Sequence, residues 1–160
     1  MWRYIAVFVL GGVLGVGGGV GAGIFIYPFV FPPPAANDTL NTDELTAIIA
    51  RGQFIHANTM DPVHYGSGGV TVLRRTVFLE SNFEVGPGPK FHVYLVPKES
   101  IRRAGDVKGT DFIDLGRLRA FKGSQKYTVP ATINLADYQS VVIWCAAFGV
   151  LISPADLKFL

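Results

Sequence analysis

The chain has 160 residues and a formal net charge of +2, with 49% apolar and 16% charged residues. Soluble domains carry about 25% charged residues, so this deficit excludes a disordered chain and an electrostatic nucleic-acid binder. A single cysteine, Cys145, excludes an intrachain disulfide, a C-x-x-C redox pair and a cysteine-rich zinc site.

Tyr4 to Phe31 is a run of 28 residues without a charged side chain. As a helix it reaches about 42 Å at ~1.5 Å per residue, and a bilayer core needs only about 30 Å. A cleaved signal peptide would end in small residues. Here Ile24-Phe25-Ile26-Tyr27-Pro28-Phe29 continues the run in bulky ones, which favours a retained anchor. Pro28 is expected to bend or end the helix. Eight glycines inside the helix would each cost about 1 kcal/mol in water, which argues against a buried soluble helix. In lipid, Gly11, Gly15, Gly19 and Gly23 form a four-residue repeat near one face. That stripe is suited to close pairing of two helices, as in a homodimer, and equally to simple tolerance in a lone anchor. Arg3 precedes the run, and Asp38, Asp43 and Glu44 follow it. The positive-inside rule therefore expects the start of the chain in the cytoplasm and the rest outside, in a periplasm or at a cell surface.

Pro32-Pro33-Pro34 predicts a stiff spacer. Ala35 to Thr42 reads as a loose polar segment, and Asn41 or Thr42 as the cap of a short helix through Ala50. From Gly52 onward the period is two. Val77, Leu79, Phe83 and Val85 alternate with Thr76, Glu80, Asn82 and Glu84, the pattern of a half-buried strand. Gly86-Pro87-Gly88-Pro89 forces a turn. Val70 and Val72 mark an earlier strand; Phe91 to Leu95, Ile113 to Leu115 and Tyr127 to Val129 mark later ones. Val141-Val142-Ile143-Trp144-Cys145 is apolar throughout and predicts a strand covered on both faces. Val150 to Ile152 returns after Phe148-Gly149 as a hairpin. The expected fold is all-β, a sandwich or barrel-like domain of about eight or more short strands behind one N-terminal transmembrane helix. The expected division is an inner stub at 1–3, an anchor at 4–31, a Pro-rich linker with a short helix at 32–50, and a β domain at 51–160.

Cys145 is the residue with unusual chemical potential. A thiolate exchanges with disulfides or binds haem iron, whereas a buried thiol only packs. No Lys, Arg or His lies within ten residues of it. His64 sits in a turn-rich loop and reads either as a site residue or as a loop histidine bonded to backbone. All three histidines precede the cysteine and no Met follows it, which speaks against blue copper; no metal site is expected. Arg74-Arg75 and Arg102-Arg103 are scattered among acids and read as solvated surface. Phosphate loops, G-x-S-x-G and H-E-x-x-H are all missing.

Several blocks resemble a known family when taken in order. They are Gly52-x-Phe54 with His64-x-x-Ser67-Gly68, then Leu79-Glu80-Ser81-Asn82-Phe83 with Gly88-Pro89 and His92-Val93-Tyr94-Leu95. Asp114-Leu115-Gly116-x-Leu118, Gly123-Ser124-Gln125-x-Tyr127 and Pro130 follow. The last is Tyr138-x-Ser140-Val141-Val142-Ile143-Trp144-Cys145 with Phe148 and Ala155-x-Leu157. Together they resemble the DM-thirteen domain, described as an electron-transfer domain. The chain departs from the expected pattern at Lys90, where an Asp or similar polar residue would follow the Gly-Pro pair. The resemblance implies an extracytoplasmic β domain and a redox role centred on Cys145, as a free thiol or through a bound group such as haem. Under the haem reading Cys145 supplies one axial ligand and His64 the second, with Trp144 and Tyr127 flanking. The partner would be a membrane or extracytoplasmic redox protein. The competing reading is a non-redox binding or interaction module in which Cys145 only packs.

Overall fold

A computed structural model describes all 160 residues. It opens with one helix, α1 (Trp2–Val30), of 29 residues. The helix has no buried residue and is long and apolar enough to cross a membrane. Pro28 lies inside it and the helix ends two residues later, with the Phe31 amide donating to the Tyr27 carbonyl at 2.9 Å. Proline removes one backbone donor, and at this position the loss falls on the last turn.

The segment after the prolines is ordered where a loose one is expected. Ala36–Asn37 form a two-residue strand, β1. Helix α2 spans only Thr42–Leu45 and is capped by Asn41, whose side chain accepts the Glu44 amide while Glu44 returns a bond to the Asn41 amide. The predicted continuation to Ala50 is instead the start of strand β2 (Ile48–Phe54). The β-branched Ile48 and Ile49 gain more from cross-strand packing than from a short exposed helix.

Strands β3 (Gly66–Leu73), β4 (Thr76–Leu79), β5 (Glu84–Val85) and β6 (Phe91–Val96) follow, then β7 (Ile113–Arg117), β8 (Gly123–Thr128), β9 (Ser140–Cys145) and β10 (Val150–Phe159). They form one ten-stranded sheet in the order β1-β8-β4-β3-β2-β10-β9-β6-β7, with β5 added to β3. All pairings are antiparallel except β1 with β8. The sheet curls into a half-barrel. Its two ends are tied by the segment after β7: Leu118 N–H donates to Phe91 O at 2.8 Å, and Arg119 and Ala120 N–H both donate to Gln125 Oε1 at 3.1 Å.

The alternation read in the sequence is the inside–outside code of this curl. Val77, Leu79, Phe83 and Val85 are all at most 1% exposed and fill the concave core with Val141, Ile143 and Cys145. The other face of β9 is covered as well: Val142 and Trp144 pack with Tyr94, Val96, Ile101 and Val107 in a second cluster. A strand buried on both sides needs no polar alternation. Burying one such aliphatic side chain contributes roughly 1.5–3 kcal/mol. Strand β10 carries Pro154 beside a bulge between Leu151 and Ser153. Proline lacks the ladder donor, and bulges are where sheets accept it.

Candidate functional site

Cys145 ends β9, at the margin of the sheet, opposite Phe91 of β6 and Val150 of β10. It is a free thiol and 2% exposed. Its Sγ donates to the Pro89 carbonyl at 3.4 Å. The Gly86–Lys90 turn thus delivers an acceptor to the sulfur as it leads into β6.

Cys145 lines a small cavity of about 40 Å³. His64, Pro89 and Phe148 contribute to its wall, and so do Phe25 and Phe29 from α1. Phe25 and Phe29 are four residues apart and so share a helix face. Phe25 stacks on Phe148 with ring centroids 5.0 Å apart. The C-terminal end of the apolar helix therefore covers the corner of the domain that holds the thiol.

His64 is the one other titratable side chain on this cavity. Its loop is shaped by Asp61, whose Oδ1 accepts the Val63 and His64 amides at 2.9 and 3.1 Å. Oδ2 of the same carboxylate meets His64 Nδ1 at 2.6 Å. The His64 ring, with the two amides, holds the Asp61 carboxyl down at about 2. An ionised carboxylate at Nδ1 fixes the tautomer that carries its proton there and leaves Nε2 as the basic nitrogen. Cysteine, histidine and an orienting carboxylate are the parts of an activated thiol.

The structure brings Cys145 and His64 to one cavity and separates the other two candidates from it. Trp144 alternates to the opposite face of β9, as any neighbour in a strand must, and stacks with Tyr94 at 6.2 Å. Tyr127 lies in the concave core, where its hydroxyl donates to Gln125 Oε1 at 2.8 Å. Burial pushes the Tyr127 phenol up. Neither flanks the sulfur. Haem does not fit these residues. A cavity of about 40 Å³ has room for a water or two, against the roughly 300–1,000 Å³ of ligand and cofactor pockets. Sγ is already bonded to Pro89 O, and Phe25, Phe29 and Phe148 wall the corner around it. Of the other histidines, His56 bonds to the Asp61 carbonyl at 2.8 Å and His92 to Asp114 at 2.8 Å.

Sequence reasoning missed Asp61, Pro89 and the three phenylalanines. Asp61-x-x-His64 is a readable turn spacing. The approach of Phe25 and Phe29 to residue 148 is long-range and has no local signal. The stripe Gly11, Gly15, Gly19 and Gly23 meets nothing else in the chain.

The family model described as Electron transfer DM13 matches residues 59–157. That span is more than half of the chain and takes in His64, Tyr127, Trp144 and Cys145. No curated protein and no solved structure matches. With a β-rich half-barrel around the aligned residues, the chain belongs to the electron-transfer DM13 family.

Proposed function

We propose that this protein is an electron-transfer domain held at the outer face of a membrane by α1, and that Cys145 is its redox group. The anchoring part is supported by the charge-free run Tyr4–Phe31, with Arg3 before it and Asp38, Asp43 and Glu44 after it. Length supports it too. Twenty-nine helical residues reach about 43 Å at ~1.5 Å each, roughly 13 Å more than a hydrocarbon core. The surplus is the roughly two and a half turns, at ~5.4 Å each, that carry Phe25 and Phe29 onto the domain.

The observation that carries the redox reading is the shared cavity of Cys145 and His64, with Asp61 behind the imidazole. His64 Nε2 takes the thiol proton. The thiolate attacks a disulfide of a partner protein, one Cys145–partner S–S bond forms, and the partner's other sulfur leaves as a thiolate. With a single cysteine here, a dithiol of a second redox protein resolves the bond: its first thiolate takes over the Cys145 sulfur and releases the partner as a dithiol, and its second closes its own disulfide and frees Cys145, so two electrons pass from that dithiol to the partner. The partner is a membrane or extracytoplasmic redox protein. The cavity is closed by half-exposed aromatics, so access opens by displacing the α1 end or the 146–149 turn. The glycine stripe supports pairing of two copies in the membrane.

The test is to expose membranes bearing the full chain to a peptide disulfide and map the adducts by mass spectrometry. A mixed disulfide at Cys145, absent from Cys145→Ser, supports the reading. One observation favours the alternative, a non-redox interaction module: the sulfur is 2% exposed and packed with Val141 and Ile143. A thiol that reacts only after unfolding selects that alternative.

A further inference from the structure

Beside the thiol cavity lies a much larger one, about 870 Å³, between α1 and the edge of the sheet. Its walls are two kinds of surface. The helix supplies Ile24 and Tyr27, and the domain supplies Leu118 and Phe121. The domain also brings two exposed cations, Lys90 and Arg117. No acid pairs with either, although most other cations around the domain have one: Arg119 with Asp38, Lys122 with Glu84, Lys126 with Glu44. Two exposed cations beside an apolar groove suit an anion that also carries apolar mass.

We infer that this groove holds one anionic phospholipid of the outer leaflet, its acyl chains along Ile24 and Tyr27 and its phosphate at Lys90 and Arg117. This rests on the anchoring reading. The groove's helical wall runs from Val20 to Phe31, so it passes from the last turn inside the roughly 30 Å hydrocarbon core into the headgroup layer. Arginine matches phosphate geometry with paired donors and lysine supplies a point charge. A zwitterionic lipid offers the same tails without net charge, and free phosphate offers the charge without tails. The two wall types together select the anionic lipid.

The test uses the full chain in neutral detergent, read by native mass spectrometry with phosphatidylglycerol, phosphatidylcholine and inorganic phosphate as probes. One phosphatidylglycerol is expected to be retained, with phosphatidylcholine weaker and phosphate alone not retained. Lys90→Asn with Arg117→Gln is expected to lower phosphatidylglycerol binding by roughly 25-fold, at about fivefold for each cation lost near a lipid headgroup. Asparagine suits the positive φ of 52° at Lys90, and an unchanged melting curve shows that the double variant folds. Equal retention of the two lipids, or no loss in the double variant, overturns the inference. Carbonate extraction of membranes separates the two readings. Release of the parent protein defeats the anchor and the lipid site together. Retention in the membrane without saturable phosphatidylglycerol binding defeats the lipid site alone.

Discussion

Phe25 of the apolar helix and Phe148 of the β9–β10 turn stack at 5.0 Å, directly over the corner of the domain that holds Cys145. The contact joins the segment that would sit in the membrane to the turn three residues beyond the thiol. Aromatic pairs are worth about 0.5–1.5 kcal/mol beyond the area they bury. Phe25→Ala in the full chain is therefore expected to raise the native-state labelling rate of Cys145, up to about tenfold. Stopped labelling followed by mass spectrometry reads it. An unchanged rate would show that the thiol opens by another path.

The two ends of the sheet meet at one buried amide. Gln125 Oε1 accepts from Arg119 N, Ala120 N and the Tyr127 hydroxyl, while Nε2 donates to Ala120 O at 2.9 Å. Gln125 is fully buried. Gln125→Leu removes four bonds and strands the Ala120 amide and carbonyl, while the Arg119 amide keeps the Tyr127 hydroxyl at 3.3 Å; a buried group without its partner costs about 1–3 kcal/mol. We expect a loss of about 3 kcal/mol in urea unfolding, against about 1 for Tyr127→Phe, which leaves the Arg119 amide and the other Gln125 bonds in place. Equal effects would contradict this closure.

Acid should loosen the loop that orients His64. The Asp61 carboxyl is held at about 2 by the His64 ring and the Val63 and His64 amides, below its ordinary 3.8. A depressed carboxyl stabilises the folded form above its unfolded value and loses that contribution as pH falls through the folded one. Amide exchange at Val63 and His64 is expected to stay slow at pH 5 and to accelerate between about pH 4 and 2. Asp61→Asn should show fast exchange at both ends of that range.

The alternation at Val77, Leu79, Phe83 and Val85 and the doubly apolar β9 were legible because each strand's own neighbours decide which side is buried. The order of strands was not, since β8 pairs with β4 and β10 with β2 across long loops. The segment Ala35 to Thr42 reads as polar and loose, yet its structure comes from distant partners. β1 pairs in parallel with β8, Asp38 accepts Lys126 N–H at 2.8 Å and binds Arg119, and Ser124 Oγ donates to Asp38 O at 2.6 Å. The Lys126 amide and Arg119 hold the Asp38 carboxyl below its ordinary range. At the site, Cys145 and His64 were legible as residue types, while the positions of Trp144 on the opposite face of β9 and of Tyr127 beside Gln125 come from long-range packing.

That clamp makes its own prediction. Asp38→Ala removes the acceptor for Lys126 N–H and the partner of Arg119. Charged hydrogen bonds of this kind contribute about 1.5–3 kcal/mol where they are well formed, and part exposure lowers that to about 1 kcal/mol. Limited proteolysis is expected to cut between residues 34 and 42 faster in the variant, with the sheet intact. Resistance equal to the parent would show that β1 pairing alone holds the segment.

If the stripe of Gly11, Gly15, Gly19 and Gly23 pairs two copies, Gly15→Ile with Gly19→Ile should abolish a detergent-stable dimer. Crosslinking in detergent reads the outcome. A parent protein that is monomeric, or a variant that still pairs, removes the idea.

The central claim is that the Cys145 sulfur is a working redox group served by His64. Its most direct measurement is the rate at which the folded full chain, in bilayers at neutral pH, exchanges with a small aromatic disulfide. The account predicts one reacting thiol per chain in the folded protein, a rate lower by about a hundredfold in His64→Ala, as expected for a lost general base, and none in Cys145→Ser. A sulfur that stays silent until the protein is denatured, or a rate indifferent to His64, would contradict it.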